Sequence, residues 1–146
     1  MKGSYIILIT LAFEQTIRVG NLGGIHFSAG QYAYVGSAMG GFESRLRHHF
    51  GKTCKPHWHI DYLLQKAQIS SIIISENTER IECNIAILLQ NKFQCIVGFG
   101  CSDCKCKGHL FFLYNKMGMK LRISAMLKSL GYSTKPYIFL HRDQAV

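Results

Sequence analysis

The sequence is poor in proline, in acidic residues and in long apolar runs. It has two prolines among 146 residues, and eight acidic residues against seventeen lysines and arginines give a formal charge of +9 at pH 7. The longest apolar stretch begins at Tyr5 and breaks at Thr10, whereas a membrane-spanning helix needs roughly 20 such residues. We find no internal repeat or low-complexity tract. These absences argue against a membrane protein and a disordered chain, and predict one domain with its own core.

The beginning of the sequence also lacks the basic region, apolar block and cleavage site of a secretion signal. We therefore expect a soluble, cytoplasmic protein. Its six cysteines would then remain thiols rather than form a disulfide framework. Each cysteine is accordingly a candidate for core packing, for nucleophilic chemistry or for metal binding.

The positive charge is unevenly distributed along the chain. Residues 104–146 contain eight lysines and arginines and a single acidic residue, whereas residues 61–103 are net negative. A protein needs only a modest net charge to stay soluble, so this asymmetry favours a polyanionic partner. We expect nucleic acid as the partner class, and no membrane.

The hydrophobic pattern predicts a small antiparallel or mixed β-sheet flanked by helices, an α/β (α+β) fold. The predicted strands, rich in β-branched and aromatic residues, are 4–11, 16–19, 24–27, 31–36, 69–74 and 109–114, with 136–140 as an edge. The predicted helices, with apolar residues at helical spacing, are 42–50, 58–66, 79–92 and 119–130. Thr78 is the expected cap of the third helix and Gly131 the expected end of the fourth.

Five residues in the first two thirds of the chain form an ordered pattern. Tyr5 opens the first strand, Tyr34-Val35-Gly36 closes a later one, Arg45 lies on the next helix and Glu82 on a later helix. This order resembles the GIY-YIG nuclease superfamily, in which two strand tyrosines, a helix arginine and a helix glutamate surround one divalent metal. Phosphodiester hydrolysis needs a base or polarised water, positive charge on the phosphate and a stabilised leaving oxyanion. The residues present are chemically suited to supply these needs.

A narrower resemblance is carried by three segments, residues 32–38, 57–64 and 98–106. They are similar to a largely archaeal branch of that superfamily, known only as a domain of unknown function (DUF123-like). The resemblance implies a GIY-YIG-like domain over residues 1–114. Residues 115–146 lie beyond the resemblance, and we expect them to form a basic helix-strand extension packed on the same domain. It also implies a DNA endonuclease that uses Mg²⁺ or Mn²⁺ on Glu82, and, by association with repair enzymes, a possible repair-protein partner.

Further candidates for the nuclease site are histidines and cations near the motif residues. His57 and His59 could supply a general base or contact phosphate, or could instead frame Trp58 at a helix start. Candidate substrate contacts are Gly36, Ser37, Arg47, His48 and Lys120. A glycine at position 36 would let a phosphate approach the backbone.

A second group of residues has metal-ligand spacing. Cys101, Cys104, Cys106 and His109 lie within nine residues, and thiolates and imidazoles at such short spacing suit tetrahedral Zn²⁺. A mixed site that includes His57 or His59, next to Asp61, is an alternative, and plain loop thiols are another. The other three cysteines, Cys54, Cys83 and Cys95, read as isolated small apolar residues.

Two other functions remain open from the sequence. The same cleft could belong to a non-catalytic nucleic-acid-binding module with a zinc-stabilised Cys/His loop, or to a domain that delivers a repair partner. The basic helix of the extension could likewise grip DNA, or simply cover the core with an apolar stripe of Met119, Ile123, Met126, Leu127 and Leu130.

Overall fold

A computed structural model describes residues 1–51, 55–101, 104–113 and 118–138. Eight strands and four α-helices are defined there. The strands are β1 Gly3–Leu11, β2 Gln15–Arg18, β3 Gly24–Phe27, β4 Gly30–Ala38, β5 Gln68–Glu76, β6 Gln94–Cys95, β7 Leu110–Leu113 and β8 Lys135–Pro136. The helices are α1 Phe42–Phe50, α2 His59–Leu64, α3 Glu82–Gln90 and α4 Met119–Ser129. The expected α+β fold with an antiparallel sheet is confirmed.

Six strands form the main sheet in the order β6-β7-β4-β1-β5-β8, and every pairing is antiparallel. The central strand β1 is buried along nearly its whole length because it has a partner on each side. β2 and β3 form a separate hairpin. The motif tyrosines therefore lie in the middle of the sheet, on its most firmly held strands.

Successive residues of the strands belong alternately to two separate hydrophobic clusters, one on each face of the sheet. The first cluster packs α1, α2 and the β2–β3 hairpin against the face that contains Tyr5, Tyr32 and Tyr34. The second packs α3 and α4 against the opposite face. The sheet thus separates a tyrosine layer from an α3–α4 layer, as the period of two in β4 predicts.

The fourth helix belongs to the core of the second layer. Met119, Ile123 and Leu127 are buried in its cluster, and Gly131 ends the helix with φ +85°, as predicted. Leu130 was expected in the same apolar stripe, but it is half exposed. The stripe ends there because the helix itself ends at Ser129.

Three local predictions need correction. The third helix begins at Glu82 with Ile81 at its N-cap position, so Thr78 does not cap it. The short strand β6 was not among the predicted strands, and it pairs with β7. The edge strand is β8, Lys135–Pro136, while residues 139–140 of the predicted strand lie outside the described residues.

None of the helices in the described part of the chain has both the length and the hydropathy of a membrane span.

Candidate functional site

The two motif tyrosines share one face of the sheet. In the β1–β4 ladder Tyr5 pairs with Gly36 and Ile7 pairs with Tyr34, which places the tyrosines diagonally across the two strands. Their ring centroids are 6.5 Å apart, and both rings are buried. The predicted juxtaposition of Tyr5 and Tyr34 is therefore what the sheet register produces.

His49 completes this pair, although its role was not recognised in the sequence. Its Nε2 lies 2.7 Å from the Tyr5 hydroxyl, and its ring packs against Tyr34 with centroids 6.2 Å apart. His49 is four residues after Arg45 on α1, so both point to the same side of the helix. That spacing is the signal that could have identified it.

Burial controls the protonation of this group. Burial lowers the pKa of His49 to about 3, so its ring is neutral at neutral pH. Burial also raises the pKa of Tyr5 and of Tyr34 well above the usual value, and the charge of Glu82 raises both further. The phenols therefore keep their protons, and neutral His49 is the natural hydrogen-bond acceptor for Tyr5.

Asp61 organises the histidines behind the tyrosines. Its buried carboxylate accepts hydrogen bonds from the backbone N–H groups of His57 and Trp58, at 2.8 and 2.9 Å, and from His48 Nε2 at 3.1 Å. Burial alone would raise the pKa of Asp61, but these hydrogen bonds together hold it below the usual value. Asp61 Oδ1 is also 4.0 Å from His49 Nδ1, which favours a proton on Nδ1 and leaves Nε2 free to accept from Tyr5.

Arg45 lies at the same site. Its guanidinium carbon is 4.5 Å from the centroid of the Trp58 ring, a cation–π geometry, and its charge opposes the rise in the pKa of Tyr5 and of Tyr34. Arg47, two residues on, forms an exposed ion pair with Glu43 at 2.8 Å. The arginine at the tyrosines is therefore Arg45, as the motif predicts.

Glu82 approaches from the other layer of the protein. It is the first residue of α3, and its carboxylate oxygens lie 3.4 Å from Arg80 and 3.5 Å from His109 Nδ1. Its side chain is 17% exposed, so the carboxylate is accessible to solvent while its charge acts on the tyrosines. The structure thus brings Glu82 within electrostatic reach of Tyr5 and Tyr34.

His57 and His59 lie at the periphery of this group. His59 Nδ1 accepts a hydrogen bond from the backbone N–H of Gly100 at 2.8 Å, and burial lowers its pKa. Gly100 in turn packs against Tyr34, where a Cβ would come within 3.0 Å of the ring. His57 is exposed and makes an edge contact with the Trp58 ring, with centroids 4.9 Å apart. Among the described contacts, these histidines support Trp58 and the loop, and His49 is the one that meets the tyrosines.

The candidate substrate contacts are spread over a wider area. A Cβ on Gly36 would lie 2.3 Å from Cζ of Tyr5, so the ring of Tyr5, rather than a phosphate, requires glycine there. Ser37 is buried, His48 is engaged by Asp61, and Lys120 is exposed on α4 in the opposite layer. The geometry therefore does not bring Lys120 to the tyrosines.

Four metal-ligating side chains cluster beside Glu82. The potential ligand atoms of Cys83, Cys104, Cys106 and His109 all lie within 4.8 Å of one another, so this group could hold a metal ion. Three of the four predicted ligands are present, but the fourth is Cys83 of α3, which the sequence suggested to be an isolated apolar residue. The Cys101 thiol instead lies 3.7 Å from the Lys107 carbonyl. Cys54 lies outside the described residues.

The buried neutral histidine predicts a pH-dependent stability. His49 has a folded-state pKa of about 3 against 6.5 when unfolded, so unfolding takes up a proton once the pH falls below 6.5. Its contribution to stability is present above pH 6.5 and is lost progressively as the pH falls toward 3. We expect His49→Asn to flatten the dependence of the unfolding free energy on pH between 6 and 4 by up to about 1.4 kcal/mol per pH unit.

Denaturant unfolding at several pH values measures this effect. Equal slopes for the wild type and His49→Asn would contradict a buried neutral His49.

Comparison with known proteins identifies a matching family but no matching individual protein. No curated protein and no solved structure matches the sequence. The family match extends over residues 4–132, from the second residue of β1 to beyond the end of α4, and so runs past the predicted boundary at residue 114. The chain therefore belongs to the family described as domain of unknown function DUF123.

Proposed function

We propose that this protein is a metal-dependent endonuclease that hydrolyses phosphodiester bonds in DNA, on a site of the GIY-YIG kind. The observation that carries the proposal is the convergence of five residues from four elements. Tyr5 of β1, Tyr34 of β4, Arg45 and His49 of α1, and Glu82 of α3 form one electrostatically connected group. Only tertiary folding brings these side chains together.

The tyrosine and histidine hold the Tyr5 oxygen as a hydrogen-bond acceptor. Tyr5 donates its hydroxyl proton toward Nε2 of neutral His49. The lone pairs of its oxygen can then accept from a water molecule and orient that water for attack on the phosphorus, while the proton that the water loses passes to solvent. This role suits a phenol with a raised pKa, because no phenolate has to form. Asp61, 4.0 Å from Nδ1, favours the His49 tautomer whose Nε2 accepts from Tyr5.

Arg45 and Glu82 supply the charges that phosphoryl transfer needs. The guanidinium of Arg45, which lies over the Trp58 ring, would present donors to the non-bridging oxygens of the scissile phosphate. The partly exposed Glu82 carboxylate fits Mg²⁺ or Mn²⁺, since Mg²⁺ is often bound by one or two carboxylates together with water and substrate phosphate. When bound, such an ion would polarise the phosphate and stabilise the leaving oxyanion.

A cleavage assay on defined substrates tests the proposal. Purified protein is incubated with flap, nicked, branched and single-stranded DNA, with Mn²⁺ and with EDTA in its place. We expect at least one substrate to be cut into discrete product fragments, and only when the metal is present. Binding without cleavage across the whole panel, in either Mg²⁺ or Mn²⁺, would contradict the endonuclease proposal.

A second candidate is a non-catalytic nucleic-acid-binding module stabilised by zinc. The Cys/His cluster next to Glu82 favours this alternative, because a structural metal ion would stabilise the fold whether or not the protein catalyses a reaction. The formal charge of +9 supports DNA as the partner in both cases. Salt-dependent DNA affinity without cleavage would support this alternative, and no affinity at moderate salt would favour a domain that delivers a repair protein.

A further inference from the structure

The Cys/His cluster joins two segments that are distant in the sequence. Cys83 lies in the first turn of α3, whereas Cys104 and Cys106 lie in the loop between β6 and β7, and His109 immediately precedes β7. All four side chains are buried or half-buried. The residues next to Cys83 in the sequence do not explain why its thiol contacts the loop. The tertiary fold therefore brings a fourth potential ligand to three that are close together in the sequence.

The donor set has the composition of a structural zinc site. Three thiols and one imidazole are the Cys₃His set that binds Zn²⁺ tetrahedrally, with Zn–S distances of about 2.3 Å. Tetrahedral geometry at that distance puts sulfur atoms about 3.8 Å apart, close to the spread of up to 4.8 Å among these atoms. Small side-chain adjustments therefore suffice to close the site around an ion.

His109 shows which of its nitrogens would face the ion. Its backbone is fixed on both sides, because its N–H donates to the Phe99 carbonyl at 2.7 Å and its carbonyl accepts from the Val35 N–H at 2.9 Å. Nε2 lies 3.4 Å from the Cys104 sulfur, inside the cluster. Nδ1 points away from it, is completely buried and has no hydrogen-bond partner among the described atoms.

The Glu82 carboxylate lies 3.5 Å from this unpartnered nitrogen. Histidines that bind metal through one ring nitrogen almost always donate the other N–H to a carboxylate, a carbonyl or water. A metal on Nε2 would fix the proton on Nδ1 and turn the 3.5 Å approach into a hydrogen bond to Glu82. The ion, His109 and Glu82 then form one continuous chain of contacts.

We propose that Cys83, Cys104, Cys106 and His109 bind one Zn²⁺ ion, and that this centre positions Glu82 through His109 Nδ1. The zinc site stands independently of catalysis, while the positioning of Glu82 for a reaction rests on the proposed function. One Glu82 oxygen lies toward His109, and the other accepts from the exposed Arg80 side chain at 3.4 Å; this second oxygen is the one that a catalytic ion would bind in place of Arg80. Zinc is then structural, and the hard cation at Glu82 is the separate ion of the reaction.

Metal analysis of the full-length, untagged protein tests the ligand set. We expect one zinc per chain, and X-ray absorption spectroscopy of the wild-type protein should show three sulfur ligands and one nitrogen. Cys83→Ser should lower zinc affinity by at least tenfold, whereas Cys101→Ser, the matched control, should retain it. Full zinc affinity in Cys83→Ser, loss of zinc in Cys101→Ser, or a zinc-free protein after reconstitution in reducing buffer would each overturn the site.

The two Glu82 variants test the positioning role separately from ligation. Loss of a partner of this kind lowers metal affinity by about 10- to 100-fold, so we expect that decrease in Glu82→Ala, measured by competition with a chromophoric chelator. Glu82→Gln should bind zinc nearly as tightly as the wild type, because its amide oxygen still accepts from Nδ1–H. Equal zinc affinity for Glu82→Ala and the wild type would overturn the positioning role.

These measurements use no DNA. A zinc-loaded protein that never cleaves DNA would therefore refute only the proposed function, and an active protein without zinc would refute only this inference. X-ray absorption requires no variant, so the ligand set stays testable even if Cys83→Ser does not fold.

Discussion

Glu82→Gln should reduce cleavage of DNA to the level seen without a divalent metal. The substitution keeps the size of the side chain but removes the negative charge that a hard cation requires. In the described part of the chain, Glu82 is also the carboxylate whose charge raises the pKa of both motif tyrosines. Single-turnover cleavage at saturating Mn²⁺ measures the loss, which should reach about 10²- to 10³-fold or more.

Glu79→Gln is the matched control, because Glu79 is exposed and precedes α3. It should cleave like the wild type. DNA affinity and bound zinc should be retained in Glu82→Gln, which would separate a loss of chemistry from a loss of folding. Cleavage that persists in Glu82→Gln, in a preparation free of other nucleases, would remove Glu82 from the proposed reaction.

Arg45→Ala should slow the chemical step by about 10²- to 10³-fold, which is typical for removal of one donor that stabilises transition-state charge. Arg45→Lys should recover only part of this rate, since an ammonium lacks the planar fork that stacks on Trp58 and contacts two phosphate oxygens. Rates under single-turnover conditions, compared with DNA affinity, distinguish a chemical defect from weaker binding.

The control for this series is Arg47→Ala on the same helix. Arg47 pairs with Glu43 on the exposed side, so its removal should leave the chemical step within a few-fold of wild type. If Arg47→Ala is the slower variant, the assignment of Arg45 to the scissile phosphate is wrong.

The sheet and the motif tyrosines were predictable because strand periodicity is local. In β4, Tyr32 and Tyr34 enter one cluster while Ala33 and Val35 enter the other, as alternation requires. Alternation does not say that β1 and β4 are neighbours or in which register they pair, and it was the resemblance to the GIY-YIG pattern that implied a meeting of Tyr5 with Tyr34. The α+β fold itself needed little beyond alternation and helical spacing.

His49 and Cys83 were missed because their partners are set by tertiary packing. His49 shares a face with Arg45, but only the docking of α1 on the sheet shows that this face meets Tyr5. Cys83 is 21 residues from Cys104, and the third helix starts three residues later than its sequence pattern suggested. Cys101 satisfies the short Cys-x-x-Cys spacing, yet its thiol faces a backbone carbonyl. Spacing identified the loop as a source of ligands and could not say which thiols meet.

Described residues between β6 and β7 contribute to both layers. Phe99 lies in the cluster of the tyrosine layer, whereas Cys106 packs against the α3–α4 layer. With zinc bound to Cys83 and Cys106, we expect the helices of the two layers to unfold in one cooperative step. Amide protons in α1 and α3 should then exchange with similar opening free energies. Removal of the ion should let α3 and α4 exchange through a smaller opening of their own, dividing one cooperative unit into two.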